Sequence, residues 1–246
     1  MMILNEVGDI RDEFAFRYKN GIFVDDKTGG KVLEIISANF IANEELIFGA
    51  VNKDYVKREI EWYLSQSLNV DDIPGGAPTI WKQVACNQGK INSNYGWCIF
   101  SLENGNQFDK VTAELSKNPD SRRALMIYTR PTMWNDYNEN GRSDFMCTNA
   151  VQYVIRNGRI DAIVQMRSND AWAGYRNDYA WQKFVLEAVV ECVNKQSNKF
   201  YEVGNIHWNV GSLHVYSSQF YLVEHYIKTG ELSITREKYN ELYGVE

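Results

Sequence analysis

The chain has 246 residues, of which 44% are hydrophobic and 24% charged, the make-up of a globular protein large enough for a substantial core. A net charge of −6, with no run of Lys or Arg longer than a pair, argues against a broad nucleic-acid surface. No apolar run reaches the roughly 20 residues of a membrane span, and the segment "MMILNEVGDIRDEF" turns acidic too soon for a signal peptide.

Cys86, Cys98, Cys147 and Cys192 are scattered, with no C-x-x-C pair, against both a zinc site and a disulfide framework. A reducing, cytoplasmic setting is expected, with no membrane and no direct nucleic-acid partner. Only four prolines occur, and no linker or repeat marks a boundary, so a single domain over residues 1–246 is expected.

In chain order, "GIFVDDKTGGKVLEII" predicts two short strands around a Gly-Gly turn. Val56, Ile60 and Tyr63/Leu64 stand at helical spacing and predict a helix over 54–67. "FDKVTAELSK" predicts a second helix, closed by Asn118 and Pro119, and "RRALMIYTR" a buried strand. "AVQYVIR" and "RIDAIVQMR" flank Asn157-Gly158, a pair suited to the positive φ of a tight hairpin turn. "DYAWQKFVLEAVVECVNK" predicts a long apolar helix. "EVGNIHWNVGSLHVYSS" returns to strand, and "QFYLVEHYIKTG" predicts a helix stopped by glycine. Strands and helices mix without regular βαβ alternation, so the class is α+β.

Taken alone, each candidate for chemistry has a plain structural alternative. Cys147 is either a small buried hydrophobe or a nucleophile. The pair Arg122 and Arg123, and Arg167 beside Ser168, suit an anion such as phosphate or ordinary surface ion pairs. His214 and Tyr216, two apart on a strand, share a face where they bind a sugar hydroxyl or are satisfied polar groups of the core. Glu59 and Glu61, two apart on a helix, face different ways, so at most one serves a cleft. "DYNENGRSD" mimics the start of a calcium loop, but the twelfth position, which needs a bidentate Glu, is Cys147; no metal is expected.

Together, "DDKTGG", "REIEWYLSQS", "TIW", "NYGW", "NPDSRR", Cys147 followed five residues later by Gln152, "QMRSND", Gly174 and "HVYSS" resemble the thymidylate synthase family, in its order and over roughly residues 21–228. Within it, "INSNYGW", "IYTRP", "SDFMCTN", "RSNDAWAGYRNDYAWQK" and "WNVGSLHVYS" look like the bacteriophage deoxycytidylate hydroxymethylase branch. The resemblance implies a mixed β-sheet at a two-fold dimer interface, covered by helices. It implies Cys147 as nucleophile, Arg167 and Ser168 as phosphate ligands from one subunit, and Arg122 and Arg123 as the pair given by the other. Lys27 stands where synthases usually carry an arginine of the phosphate loop. By the same resemblance His214 and Tyr216 hold the sugar hydroxyl, and Glu59 organises water and proton transfer. Trp81, Asp170 and Gly174 are expected beside the folate, with Tyr95, Thr148 and Gln152 around the reacting centre.

Three departures sharpen the expectation. Thr148 replaces the histidine that follows the synthase cysteine. "YRND" replaces "L-P-F-N", which puts Asp178 where an asparagine reads uracil. The ending "LYGVE" is unlike the apolar tail of a synthase. An ionised carboxylate only accepts hydrogen bonds, which suits the amino edge of cytosine and not the carbonyl of uracil; before "YAWQKF" Asp178 is also placed to cap a helix. The expected activity is hydroxymethylation of dCMP with methylenetetrahydrofolate as co-substrate. Thymidylate synthase, dUMP or CMP hydroxymethylase, and an idle nucleotide-binding scaffold remain as alternatives. A homodimer with shared active sites is implied, and a larger phage nucleotide-synthesis complex is compatible with it.

Overall fold

A computed structural model describes residues 6–26 and 29–244. The elements, in chain order, are α1 (Val7–Lys19), β1 (Val24–Asp25), β2 (Lys31–Ile41), α2 (Lys53–Ser65), α3 (Thr79–Val84), α4 (Tyr95–Phe100), α5 (Gln107–Lys117), β3 (Leu125–Ile127), α6 (Met133–Asp136), β4 (Thr148–Arg156), β5 (Arg159–Asp170), α7 (Ala173–Ser197), β6 (Glu202–Tyr216), α8 (Phe220–Thr229) and α9 (Arg236–Tyr243). The six strands form one sheet in the order β1-β2-β6-β5-β4-β3. β2 runs antiparallel to β1 and β6, and β3 antiparallel to β4. β5 and β6 advance together, because Gly204 lies against Asp161 and Gly211 against the Arg167 carbonyl. The sheet is therefore mixed and the class α+β, with helices covering it. Among the described residues no helix is long and apolar enough to cross a membrane.

Local sequence accounts for most element ends. Asn52 accepts a hydrogen bond from Tyr55 N at 3.0 Å and starts α2, whose last turn closes on Gln66 in the left-handed region. The hairpin between β4 and β5 turns on Asn157 (φ 50°) and Gly158 (φ 76°), positive-φ positions that asparagine tolerates and that glycine, lacking a Cβ, adopts freely. α5 ends at Asn118 and α8 at Gly230, as their sequences predict.

Two elements differ from expectation. The segment "RRALMIYTR" gives only the three-residue β3, in which Met126 is buried while Leu125 and Ile127 are exposed. As an edge strand paired with β4 alone, it buries one face, not two. α7 begins at Ala173, five residues before Asp178, because the Asp170 carboxylate accepts hydrogen bonds from the backbone N–H groups of Trp172 (3.1 Å), Ala173 (2.9 Å) and Gly174 (3.2 Å). Asp178 thus lies inside the helix and does not cap it.

The chain divides into two compact units: one of residues up to Val51, Met166–Ala180 and the chain from Asn205 onward, the other of Asn52–Gln165 and Trp181–Gly204. In the core of the first, Phe40 and Trp208 pack on Tyr175, and the partly exposed Tyr179 stacks on it, with ring centroids 5.3–6.0 Å from Tyr175. Its buried Arg11 is held by both oxygens of Glu44 (3.0 and 2.7 Å) and by the Ile47 carbonyl (2.8 Å), tying α1 to the segment after β2. The core of the second gathers Trp62, Tyr63, Tyr95, Tyr128 and Trp181. There α2 and α4 approach so closely that a Cβ on Gly96 would sit 1.8 Å from the Tyr63 carbonyl oxygen.

Candidate active site

In the second unit, Glu59 and Glu61 separate as their spacing requires. Glu59 is 4% exposed, whereas Glu61 faces water beside Lys57. One turn before Glu59, Tyr55 donates its hydroxyl to Glu59 Oε1 at 2.5 Å, and Trp81 Nε1 donates to the same oxygen at 3.2 Å and to the Tyr55 hydroxyl at 2.9 Å. Burial, and then the Glu59 charge, push the Tyr55 phenol far above its ordinary value, so it stays a donor. The structure thus joins Glu59 and Trp81 through a residue that the sequence reading missed. The available signal was the i,i+4 spacing of Tyr55 and Glu59.

Cys147 immediately precedes β4 and is partly exposed, its thiol 3.9 Å from the Phe145 carbonyl. The chain leading to it is pinned. Asp144, buried, accepts from Asn92 N (2.6 Å), Ser93 N (2.9 Å) and Ser93 Oγ (2.6 Å). Met146 is fully buried against Cys98, 3.8 Å sulfur to sulfur. Burial pushes the Cys98 thiol up to about 12, which leaves it inert at neutral pH. Thr148 is fully buried, and its hydroxyl has no hydrogen-bond partner among the described residues. Tyr95 is buried between the rings of Tyr63 (5.3 Å) and Tyr128 (5.2 Å). Gln152 Nε2 donates to the Arg122 carbonyl at 2.8 Å. Arg122 and Arg123 themselves are exposed just before β3, Arg123 3.6 Å from Glu114. Asp136, the first acid of the calcium-like segment, is paired with Arg130 at 2.5 Å. Among the described residues no cluster of three or more His, Cys, Asp or Glu is arranged to hold a metal.

In the first unit, Arg167 is exposed and Ser168 partly buried near the end of β5. Asp170, Gly174 and Asp178 come together at the start of α7. A Cβ at Gly174 would meet Asn169 Nδ2 at 3.1 Å and Asp170 Cβ at 3.3 Å. Asp178 Oδ2 accepts from Asn169 Nδ2 at 2.8 Å, and Asn169 Oδ1 accepts from Trp208 Nε1 at 3.3 Å. Asn169 is a second residue that the sequence reading missed. His214 and Tyr216 share a face of β6, their rings 4.8 Å apart and edge to face; His214 is buried and Tyr216 exposed. The His214 carbonyl accepts from Ala171 N at 2.8 Å, which fixes β6 beside the residue after Asp170. Lys27 lies outside the described residues.

The thymidylate synthase family model matches residues 19–242. The deoxycytidylate 5-hydroxymethyltransferase of Enterobacteria phage T4 is 57% identical over 95% of this chain and 95% of its own. That of Enterobacteria phage T6 is also 57% identical, over 95% of each chain. Among solved structures, the thermostable thymidylate synthase A from Bacillus subtilis superposes with a TM-score of 0.62 at 20% identity, covering 91% of this chain and 84% of its own, a likeness of fold. With a family match that runs through both compact units, the chain belongs to the thymidylate synthase family.

Proposed function

We propose that this protein transfers a one-carbon unit from methylenetetrahydrofolate to carbon 5 of dCMP, with water completing a hydroxymethyl group. The observation that carries the base assignment is Asp178: its Oδ2 accepts from an amide N–H, so the side chain presents acceptors where the synthase pattern has an asparagine. The phage T4 and T6 relatives, deoxycytidylate 5-hydroxymethyltransferases at 57% identity, support the same reading.

The chemistry follows from the residues. The Cys147 thiolate adds to ring carbon 6, and carbon 5 becomes an enamine nucleophile. Carbon 5 attacks the methylene carbon of the folate and then loses its proton. Tetrahydrofolate departs, leaving an exocyclic methylene. Water adds to that carbon while the carbon–sulfur bond breaks and the thiolate is restored; no oxidant or reductant is needed. Glu59, with Oε1 held by Tyr55 and Trp81, is the group we assign to hold that water. Asp178 accepts from the amino edge of cytosine and from ring nitrogen 3 when it carries a proton. Arg167, Ser168 and Lys27 hold the phosphate, joined by Arg122 and Arg123 of a second copy in a homodimer. His214 and Tyr216 hold the sugar hydroxyl. Trp81, Asp170 and Gly174 take the folate, and Tyr95, Thr148 and Gln152 complete the surroundings.

The test supplies dCMP carrying tritium at carbon 5, together with methylenetetrahydrofolate. Release of label with a hydroxymethyl product is expected. A methyl product, or release only from dUMP, would overturn the assignment.

A further inference from the structure

The carboxylate that reads the base is itself held by a buried relay. Trp208 is fully buried and Asn169 is 3% exposed. Trp208 Nε1 lies 3.3 Å from Asn169 Oδ1, and Asn169 Nδ2 lies 2.8 Å from Asp178 Oδ2. An indole N–H only donates, so the amide atom facing it must be the oxygen. The amide nitrogen then faces Asp178, and because it too only donates, the carboxylate oxygen must accept. The direction of every hydrogen bond is therefore set from Trp208 outward. The backbone leaves room for this arrangement: a Cβ at Gly174 would press on Asn169 Nδ2 at 3.1 Å and lie 3.9 Å from Asp178 Oδ2. Asn169 and Asp178 sit on different elements, the end of β5 and the second turn of α7, so their contact also fixes the helix start against the strand.

We infer that Asn169, oriented by Trp208, is the positioning residue that holds Asp178 in one rotation as a hydrogen-bond acceptor, and so sets the preference for cytosine over uracil. The inference deepens the proposed function and rests on the reading of Asp178 given there. A side chain whose Oδ2 is fixed presents one acceptor geometry to the ring. Released, it rotates toward alternative partners, and the amino edge of cytosine loses its advantage.

The experiment measures kcat and KM with dCMP and with dUMP for the wild type, Asp178→Asn, Asn169→Leu and Trp208→Phe. Asn169→Leu keeps the branched shape and removes both hydrogen bonds; Trp208→Phe keeps an aromatic ring and removes the indole N–H together with part of the ring volume. The expected result is a fall in the dCMP-to-dUMP ratio of kcat/KM of at least roughly tenfold in Asn169→Leu, the scale of one hydrogen bond to a charged group. A smaller fall in the same direction is expected in Trp208→Phe. Equal losses for both nucleotides, or an unchanged ratio in a variant that melts as the wild type does, would overturn the inference while Asp178→Asn still shifts the ratio. An unchanged ratio in Asp178→Asn would instead sink the reading of Asp178, and this inference with it. If Asn169→Leu does not fold, the ratio in Trp208→Phe decides alone.

Discussion

Burial and hydrogen bonding hold the Glu59 carboxylate in one orientation. With Tyr55 and Trp81 both donating to Oε1, its orientation is set before any substrate arrives. Replacement by Gln keeps the shape but removes the charge and the second acceptor oxygen. Turnover of dCMP is expected to fall by ~100-fold or more, the range of general acid–base effects, while the nucleotide dissociation constant measured by calorimetry changes little. A parallel loss of binding would show that Glu59 serves the nucleotide and not the water. The thiols separate by the same logic. At neutral pH, iodoacetamide followed by mass spectrometry is expected to label Cys147 and leave Cys98 unmodified, since burial holds the Cys98 thiol at about 12. Labelling of Cys98 at a rate comparable with Cys147 would contradict that assignment. At this scale motif order is what singles out Cys147, Glu59 and Asp178, each at a position of the family pattern. Tyr55 showed only as an i,i+4 neighbour of Glu59, and Asn169 showed not at all, because its place depends on its partners. The contacts of Asn169 depend on how strand and helix meet, which no local pattern encodes.

Between elements, α4 packs tightly on α2 at Gly96. Gly96 is required there by space: any Cβ would overlap the Tyr63 carbonyl, a backbone atom that cannot swing away. Gly96→Ala is expected to destabilise the fold by ~3 kcal/mol or more, at the severe end of overpacking. Thermal unfolding measures this directly; a melting temperature within a degree or two of the wild type would mean that the helices separate without strain. The hairpin, α2 and α5 were legible because turn residues, caps and helical spacing lie inside the elements they define. The start of α7 was not. Its cap is Asp170, the last residue of a strand, so a reading that looks for a cap just ahead of the apolar run lands on Asp178 instead. β3 was misjudged for a related reason. Hydrophobicity alone does not distinguish an edge strand buried on one face from a central strand buried on both.

At the scale of the whole molecule, two exposed arginines bear on whether one chain suffices for catalysis. Arg122 and Arg123 lie exposed beside the edge strand β3, where Arg123 is 84% exposed and its nearest acid, Glu114, stands 3.6 Å away. A surface pair at that distance and exposure contributes little to stability, so the two cations are available to act elsewhere. If they complete the phosphate site of a second copy, two variants inactive for different reasons will repair each other. Arg122→Ala, Arg123→Ala in one chain removes the donated cations, and Cys147→Ala in another removes the nucleophile. Each preparation alone is expected to be nearly inactive. After unfolding and refolding as an equal mixture, half of the dimers would combine the two, and in each of these one site carries an intact Cys147 together with intact arginines from its neighbour. Recovered activity of roughly a quarter of the wild type is the expected result for random pairing of two-fold dimers. The size of the recovery separates the possibilities. Arginines serving their own chain would leave every site in the mixed dimer broken, at either the cations or the thiol. The mixture would then be no more active than its parts.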